Sequence, residues 1–126
     1  MNFRSKINRD ITLKLNLCFN NVINKLLELL NSFRNITILY IDNIRCKENI
    51  DEIFNFLINN NTIEKLFIQG NNCKNRLYID YILLSQVINN NILQKIEIKG
   101  CNINDNIRII SDNLKNNTSL QELDLN

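Results

Sequence analysis

The chain has no histidine, no proline and no tryptophan, and only two glycines and one methionine in 126 residues. Each shortage excludes something. Without histidine, the Ser–His–Asp and Cys–His catalytic arrangements and most zinc sites cannot be built. Two glycines, Gly70 and Gly100, are too few for a phosphate-cradling loop; each stands two residues after a strand-like phrase and reads as a turn residue. Charge of one sign is also missing: 15 Lys and Arg face 13 Asp and Glu, a net +2, so bulk charge implies no polyanionic partner. No stretch approaches the roughly 18 apolar residues that span a bilayer. The basic start, Met1 to Asp10, precedes no apolar run with a cleavage site, so no secretory signal is visible. The expectation is a cytoplasmic protein without membrane contact. The sequons at Asn35-Ile36-Thr37, Asn60-Asn61-Thr62 and Asn116-Asn117-Thr118 then carry little weight.

What is abundant is asparagine, roughly one residue in five, with isoleucine close behind. Both, with Lys and Tyr, are served by AT-rich codons, and the asparagines are interleaved with apolar positions rather than pooled. Coding bias explains this better than a selected low-complexity tract. The length fits one domain with a continuous core.

The apolar residues recur as a phrase. Ile36-Thr-Ile-Leu-Tyr-Ile41, Ile63-Glu-Lys-Leu-Phe-Ile68, Leu93-Gln-Lys-Ile-Glu-Ile98 and Leu120-Gln-Glu-Leu-Asp-Leu125 share an aliphatic-x-x-aliphatic-x-aliphatic template and start 27, 30 and 27 residues apart. A period of that length marks stacked repeats. Between phrases the apolar spacing changes from two to i, i+3, i+4, i+7. Ile23, Leu26, Leu27 and Leu30 lie within residues 22–33. Ile50, Ile53, Phe54, Leu57 and Ile58 follow in the second unit, Leu83, Leu84, Val87 and Ile88 in the third, and Ile107, Ile110 and Leu114 in the fourth. The switch in period predicts strand-then-helix units, and a helix between successive strands makes those strands parallel with right-handed crossovers. An earlier, divergent strand fits at Thr12 to Leu17, with Leu15 and Leu17 inward and Thr12 in the first template position. The paired helical positions are Leu26 and Leu30, Phe54 and Ile58, Leu84 and Ile88, and Ile110 and Leu114.

The stretch Leu93-x-x-Ile96-x-Ile98-x-x-Cys101-x-Ile103, with Ile110-x-x-x-Leu114-Lys-Asn-Asn-Thr-Ser-Leu120-Gln-Glu-Leu123-Asp-Leu125, resembles the ribonuclease-inhibitor-like leucine-rich repeat. The resemblance runs from about residue 12 to 126; the middle unit is longer, and Ile44 stands where a turn Asn or Cys is usual. It implies an α/β leucine-rich-repeat solenoid, a short horseshoe with its parallel sheet on the concave face and helices on the convex face. On this reading residues 1–11 form a basic N-terminal cap segment. Residues 12–126 form the repeat domain, about four strand–helix units and a final strand.

Cys18, Cys46, Cys73 and Cys101 are spaced 28, 27 and 28 apart, the repeat period and no metal-ligand spacing. Cys46 and Cys73 share an inward column with Val22 and Ile103, and Cys101 shares a turn column with Asn20 and Asn71. They read as structural thiols, reduced as the cytosol requires. Asp51 with Glu52, and Asp105 with Asp112, fall on polar helix faces and read as solvated charge. No catalytic residue, cofactor or metal is expected, and the chain reads as a non-enzyme.

If the sheet lines the concave face, the outward positions form three columns. The central one is Asn16, Tyr40, Phe67, Glu97 and Asp124. The flanking ones are Lys14, Ile38, Lys65, Lys95 and Glu122, and Cys18, Asp42, Gln69, Lys99 and Asn126. Tyr40 and Phe67 should be neighbours, since adjacent strands lie about 4.8 Å apart. An aromatic pair ringed by lysines is either a binding anchor or ordinary cross-strand packing. The candidate partner-binding residues are Tyr40, Phe67, Lys65, Lys95, Glu97 and Lys99, and the expected ligand is an unidentified protein. The resemblance extends to repeat proteins that activate GTPases or act as innate sensors, an alternative with no catalytic Arg or Asn assigned to it. Nucleic acid is disfavoured by the interspersed Glu97, Asp124, Asp42 and Glu122. Leu120, Leu123 and Leu125, in the last phrase, have no following repeat. Three readings remain there: a piece of a longer array without independent activity, a partner or second chain covering the edge, or a harmlessly frayed end.

Overall fold

Strand and helix alternate without exception along the described residues of the computed structural model, which are 10–16, 23–33, 35–70, 77–101 and 107–125. The elements are β1 (Thr12–Asn16), α1 (Ile23–Ser32), β2 (Ile38–Ile44), α2 (Lys47–Ile58), β3 (Lys65–Gly70), α3 (Tyr81–Ile88), β4 (Lys95–Lys99), α4 (Ile107–Leu114) and β5 (Glu122–Asp124). The five strands form one parallel sheet in the order β1-β2-β3-β4-β5. The four helical stripes match α1 to α4. β2 to β5 each begin two residues inside their phrase, yet the phrase's opening aliphatic is still buried at Ile36, Ile63 and Leu93.

Period two settles which sheet face is covered. Leu39, Ile41, Leu66, Ile68, Ile96 and Ile98 are buried, while Ile38, Tyr40, Asp42, Lys65, Phe67, Lys95, Glu97 and Lys99 stay half-buried on the other side. The covered face meets Leu26, Leu30, Ile50, Ile53, Phe54, Leu57, Leu84, Val87, Ile88 and Ile110 in one core. The longer third unit adds residues that the periodicity did not reveal: Leu77, Ile79 and Tyr81, all buried, lead into α3. Asp80 caps that helix, accepting from the backbone N–H of Ile82 (2.9 Å) and Leu83 (3.2 Å).

Three expectations need correction. The first strand pairs Thr12 with Ile38 and Lys14 with Tyr40, two residues away from the alignment that puts Thr12 beside Ile36. Leu13 and Leu15 therefore take the half-buried inward positions; Leu17 lies outside the described residues. Alternation at Ile11, Leu13, Leu15 and Leu17 is unchanged by a two-residue slip, so the pattern could not choose the register. The backbone chooses it, with Thr37 and Ile38 N–H both donating to the Ile11 carbonyl (3.1 and 3.2 Å). Second, Ile44 is no turn residue: it is buried, paired with Gly70 after a register shift, and preceded by Asn43 at φ 61°. The extra residue in the left-handed region rotates Ile44 into the core. Third, among the paired helical positions Ile58 is only half-buried, and Leu114 is 36 % exposed where Leu30 and Ile88 are buried. Leu114 lies in α4, and among the described residues no further helix packs over it.

Gly70 and Gly100 are required by the approach of neighbouring turns. A Cβ at Gly70 would strike the Gly100 carbonyl oxygen and lie 2.9 Å from Cys101 Sγ; Gly100 also holds φ +71°. Gly70→Ala is expected to cost about 1–3 kcal/mol, read as a lower urea midpoint with unchanged slope.

Candidate functional site

The sheet face away from the helices carries the candidate side chains. In the observed register its rows are Thr12, Ile38, Lys65, Lys95 and Glu122, then Lys14, Tyr40, Phe67, Glu97 and Asp124; beyond them Asn16 pairs with Asp42 and Gln69 with Lys99, the β2–β3 register shifting between Ile41 and Ile44. Lys14, not Asn16, thus neighbours Tyr40 in the central row. Cys18 and Asn126 lie outside the described residues.

Tyr40 and Phe67 do meet. Their ring centroids are 5.7 Å apart with planes at 23°, a stacked pair. Lys14 Nζ lies 5.0 Å from the Tyr40 centroid and Lys95 Nζ 5.2 Å from that of Phe67. Such ring pairs contribute about 0.5–1.5 kcal/mol beyond area, and a partly exposed cation–ring contact about 0.5–1 kcal/mol. The pair is therefore held in place before any ligand arrives. The other candidates separate by charge pairing: Lys95 bonds Glu122 (3.2 Å) and Lys99 bonds Glu97 (3.6 Å), whereas Lys65 has no carboxylate partner among the described residues. A shallow recess of about 190 Å³ lies between Lys65, Gln94, Lys95, Gln121 and Glu122.

The carboxylates read as solvated charge divide. Asp51 is half-buried and accepts from Lys47 at 2.7 Å, a bond that raises the Lys47 pKa above its usual value. Glu52 is exposed, Asp112 is exposed beside Lys115 (3.5 Å), and Asp105 lies outside the described residues. Among the described residues no group of three His, Cys, Asp or Glu side chains could hold a metal, and no helix is long and apolar enough to cross a membrane.

Of the thiols, Cys46 and Cys101 are free and half-buried, Cys46 at the start of α2 rather than in the core column; Cys18 and Cys73 lie outside the described residues. Burial pushes the Cys101 thiol up to about 11, against a weaker lowering by a backbone hydrogen bond at Gly70. Cys101 should therefore react with a disulfide reagent at pH 8 more slowly than Cys46, and denaturant should remove the difference. Because the folded pKa is the higher one, this group's contribution is present below about pH 9 and is lost as pH rises toward 11. An alkaline denaturation series compared with Cys101→Ser checks the sign.

Sequence reasoning missed an asparagine ladder. Asn60, Asn90 and Asn117 each stand three residues before a phrase. Their Oδ1 atoms accept from backbone N–H groups: Thr62 and Ile63 (3.0 and 2.8 Å), Ile92 and Leu93 (2.8 and 3.3 Å), Ser119 and Leu120 (3.0 and 2.6 Å). Asn90 Nδ2 donates back to the Leu57 and Asn60 carbonyls (2.9 and 3.2 Å), and Asn117 Nδ2 to that of Ile88. Each amide thus closes its own turn, and those of Asn90 and Asn117 also bond the carbonyl end of the preceding unit's helix. In the first unit the equivalent residue is Phe33, 56 % exposed, and a recess of about 550 Å³ lies there between α1 and α2, lined by Leu30, Phe56 and six residues dominated by Asn. The signal was the constant offset, but in an asparagine-rich chain it has no contrast.

Comparison with protein-family models gives no match, and none of the curated proteins compared with the chain matches it.

Proposed function

We propose that the chain is a leucine-rich-repeat solenoid of the ribonuclease-inhibitor-like type, a non-catalytic cytosolic module that binds another protein across its open, concave sheet. The repeat reading is supported by the unbroken strand–helix alternation, the single parallel sheet in chain order and the asparagine ladder that recurs at one offset in three units. Free thiols at Cys46 and Cys101 fit a reducing compartment. The binding reading rests on one observation: a stacked Tyr40–Phe67 pair, fixed by two lysines, at the middle of a sheet face that none of the described helices covers. Large, pre-ordered aromatics with small entropic cost are what binding hot spots are made of.

Tyr40→Ala and Phe67→Ala are expected to retain the circular dichroism spectrum and cooperative unfolding while losing a captured partner at least about 100-fold, roughly 2.7 kcal/mol. Leu29→Ser, on the helix side and 42 % exposed, should leave capture unchanged. Full capture by both aromatic variants sinks the assignment.

A further inference from the structure

We propose that the outer edges of β5 and β1 pair with one another between copies, so that β1 of a second copy continues the sheet and the chain assembles head to tail. The inference goes beyond the reading of the open face and does not depend on it. Among the described residues no strand pairs with the far side of β1 or of β5. The apolar cover is unfinished at the same two places. Leu39, Leu66 and Ile96 form one row across the middle strands and are fully buried, whereas Leu13 and Leu123, at the two ends of that row, are only half-buried. Such an edge invites another strand.

Three matches select a second copy as the occupant. The first lies in the backbone. At every junction one carbonyl accepts from two consecutive N–H groups of the following strand. Ile11 accepts from Thr37 and Ile38, Thr37 from Glu64 and Lys65, Glu64 from Gln94 and Lys95, and Gln94 from Gln121 and Glu122, all at 2.6–3.2 Å. The next acceptor in the series is the Gln121 carbonyl, and the donors at the equivalent place in β1 are Ile11 and Thr12. The Ile11 N–H holds only a long bond, 3.3 Å to Thr37 Oγ1. The second match is charge. The same step sets Asp124 beside Lys14, the two ends of the row Lys14, Tyr40, Phe67, Glu97 and Asp124. Asp124 neighbours the like charge of Glu97 and has no cation partner among the described residues; Lys14 meets a ring but no carboxylate. Each is the partner the other lacks. The third match is apolar: Leu123 comes to lie beside Leu13 and the buried row continues. One chain carries both halves of all three, and because the halves lie on different surfaces the contact is heterologous and does not close at a dimer.

The test is sedimentation equilibrium of the full chain from micromolar to millimolar concentration, with circular dichroism to confirm that each variant is folded. The average mass should rise with concentration and pass that of a dimer without a plateau. Lys14→Glu and Asp124→Lys, each alone, should move this rise to a concentration at least about 10-fold higher, because like charges then meet at every junction. An equimolar mixture of the two variants should return the rise to near its parental position. In the mixture the reversed pair forms at alternate junctions and the original pair at the others. A parent chain that stays monomeric throughout, an association that stops at the dimer, or one indifferent to both charge reversals overturns the proposal. So does a mixture that associates no better than either variant alone. Loss of association on Phe67→Ala would place the contact on the open face and likewise overturn the pairing of edges.

Discussion

Phe54→Ala lowers the stability of the chain by about 3–5 kcal/mol, the cost of an aromatic deleted from a core that cannot close around the space. Phe54 is wholly buried, as are its column mates Leu26, Leu84 and Ile110 in the other three helices. It sits in α2, between the units that contain α1 and α3, so the cavity weakens contacts in both directions. Domains of this size are stable by about 5–15 kcal/mol; the loss is roughly a fifth of the total or more and should lower the melting temperature by roughly 10–20 °C. Leu57→Ala and Leu29→Ala supply the internal control. They remove the same atoms from equivalent helix positions, but Leu57 is fully buried and Leu29 is 42 % exposed. About 2–5 kcal/mol is expected for the first and about 1 kcal/mol or less for the second. Equal losses at the two positions would contradict the difference in burial between the two leucines.

Asn90→Ala comes next in size, at about 2–4 kcal/mol. One carboxamide serves the N–H groups of Ile92 and Leu93 and the carbonyls of Leu57 and Asn60. Alanine removes that partner from all four; the Leu57 carbonyl keeps the N–H of Asn60 at 3.2 Å, so the loss falls mainly on the other three, each part-buried group costing about 1–3 kcal/mol before water compensates some of it. Asn90→Asp separates the two halves of the role. Its carboxylate still accepts from Ile92 and Leu93 but faces the Leu57 carbonyl with no proton to donate. It should be destabilised at pH 7 and recover partly near pH 4, as protonation restores one donor. Urea titrations at the two pH values measure this. Asn59→Ala, at an exposed position one residue before the Asn60 of the ladder, should stay within about 0.5 kcal/mol of the parent chain. A similar loss at both sites would show that the ladder contributes nothing special. The outcome bears on function as well, because the turns closed by Asn60 and Asn90 set where β3 and β4 begin, and with them the height of Phe67 and Lys95 on the open face.

Period two and period 3.6, alternating every 27 to 30 residues, were enough to establish strand–helix units, a parallel sheet and most of the core. They also brought Tyr40 beside Phe67, because both occupy the fifth place of a phrase and successive strands pair phrase to phrase. Spacing carries that information because burial on one face of a strand or helix is a local, repeating demand on the sequence. The register of β1 is different in kind: a slip of two residues keeps every leucine on its side, so only hydrogen bonds to Ile11 from a strand 26 residues away decide it, and with it whether Lys14 or Asn16 faces Tyr40. The same holds for the inward turn of Ile44, which depends on one residue at positive φ, and for the asparagine ladder, whose partners lie about 30 positions back along the chain. Residue type and spacing determined which side chains leave water. Long-range backbone pairing decided neighbours where a two-residue slip or an extra residue left the pattern silent, as at Lys14 beside Tyr40, and a surface that binds is made of such neighbours.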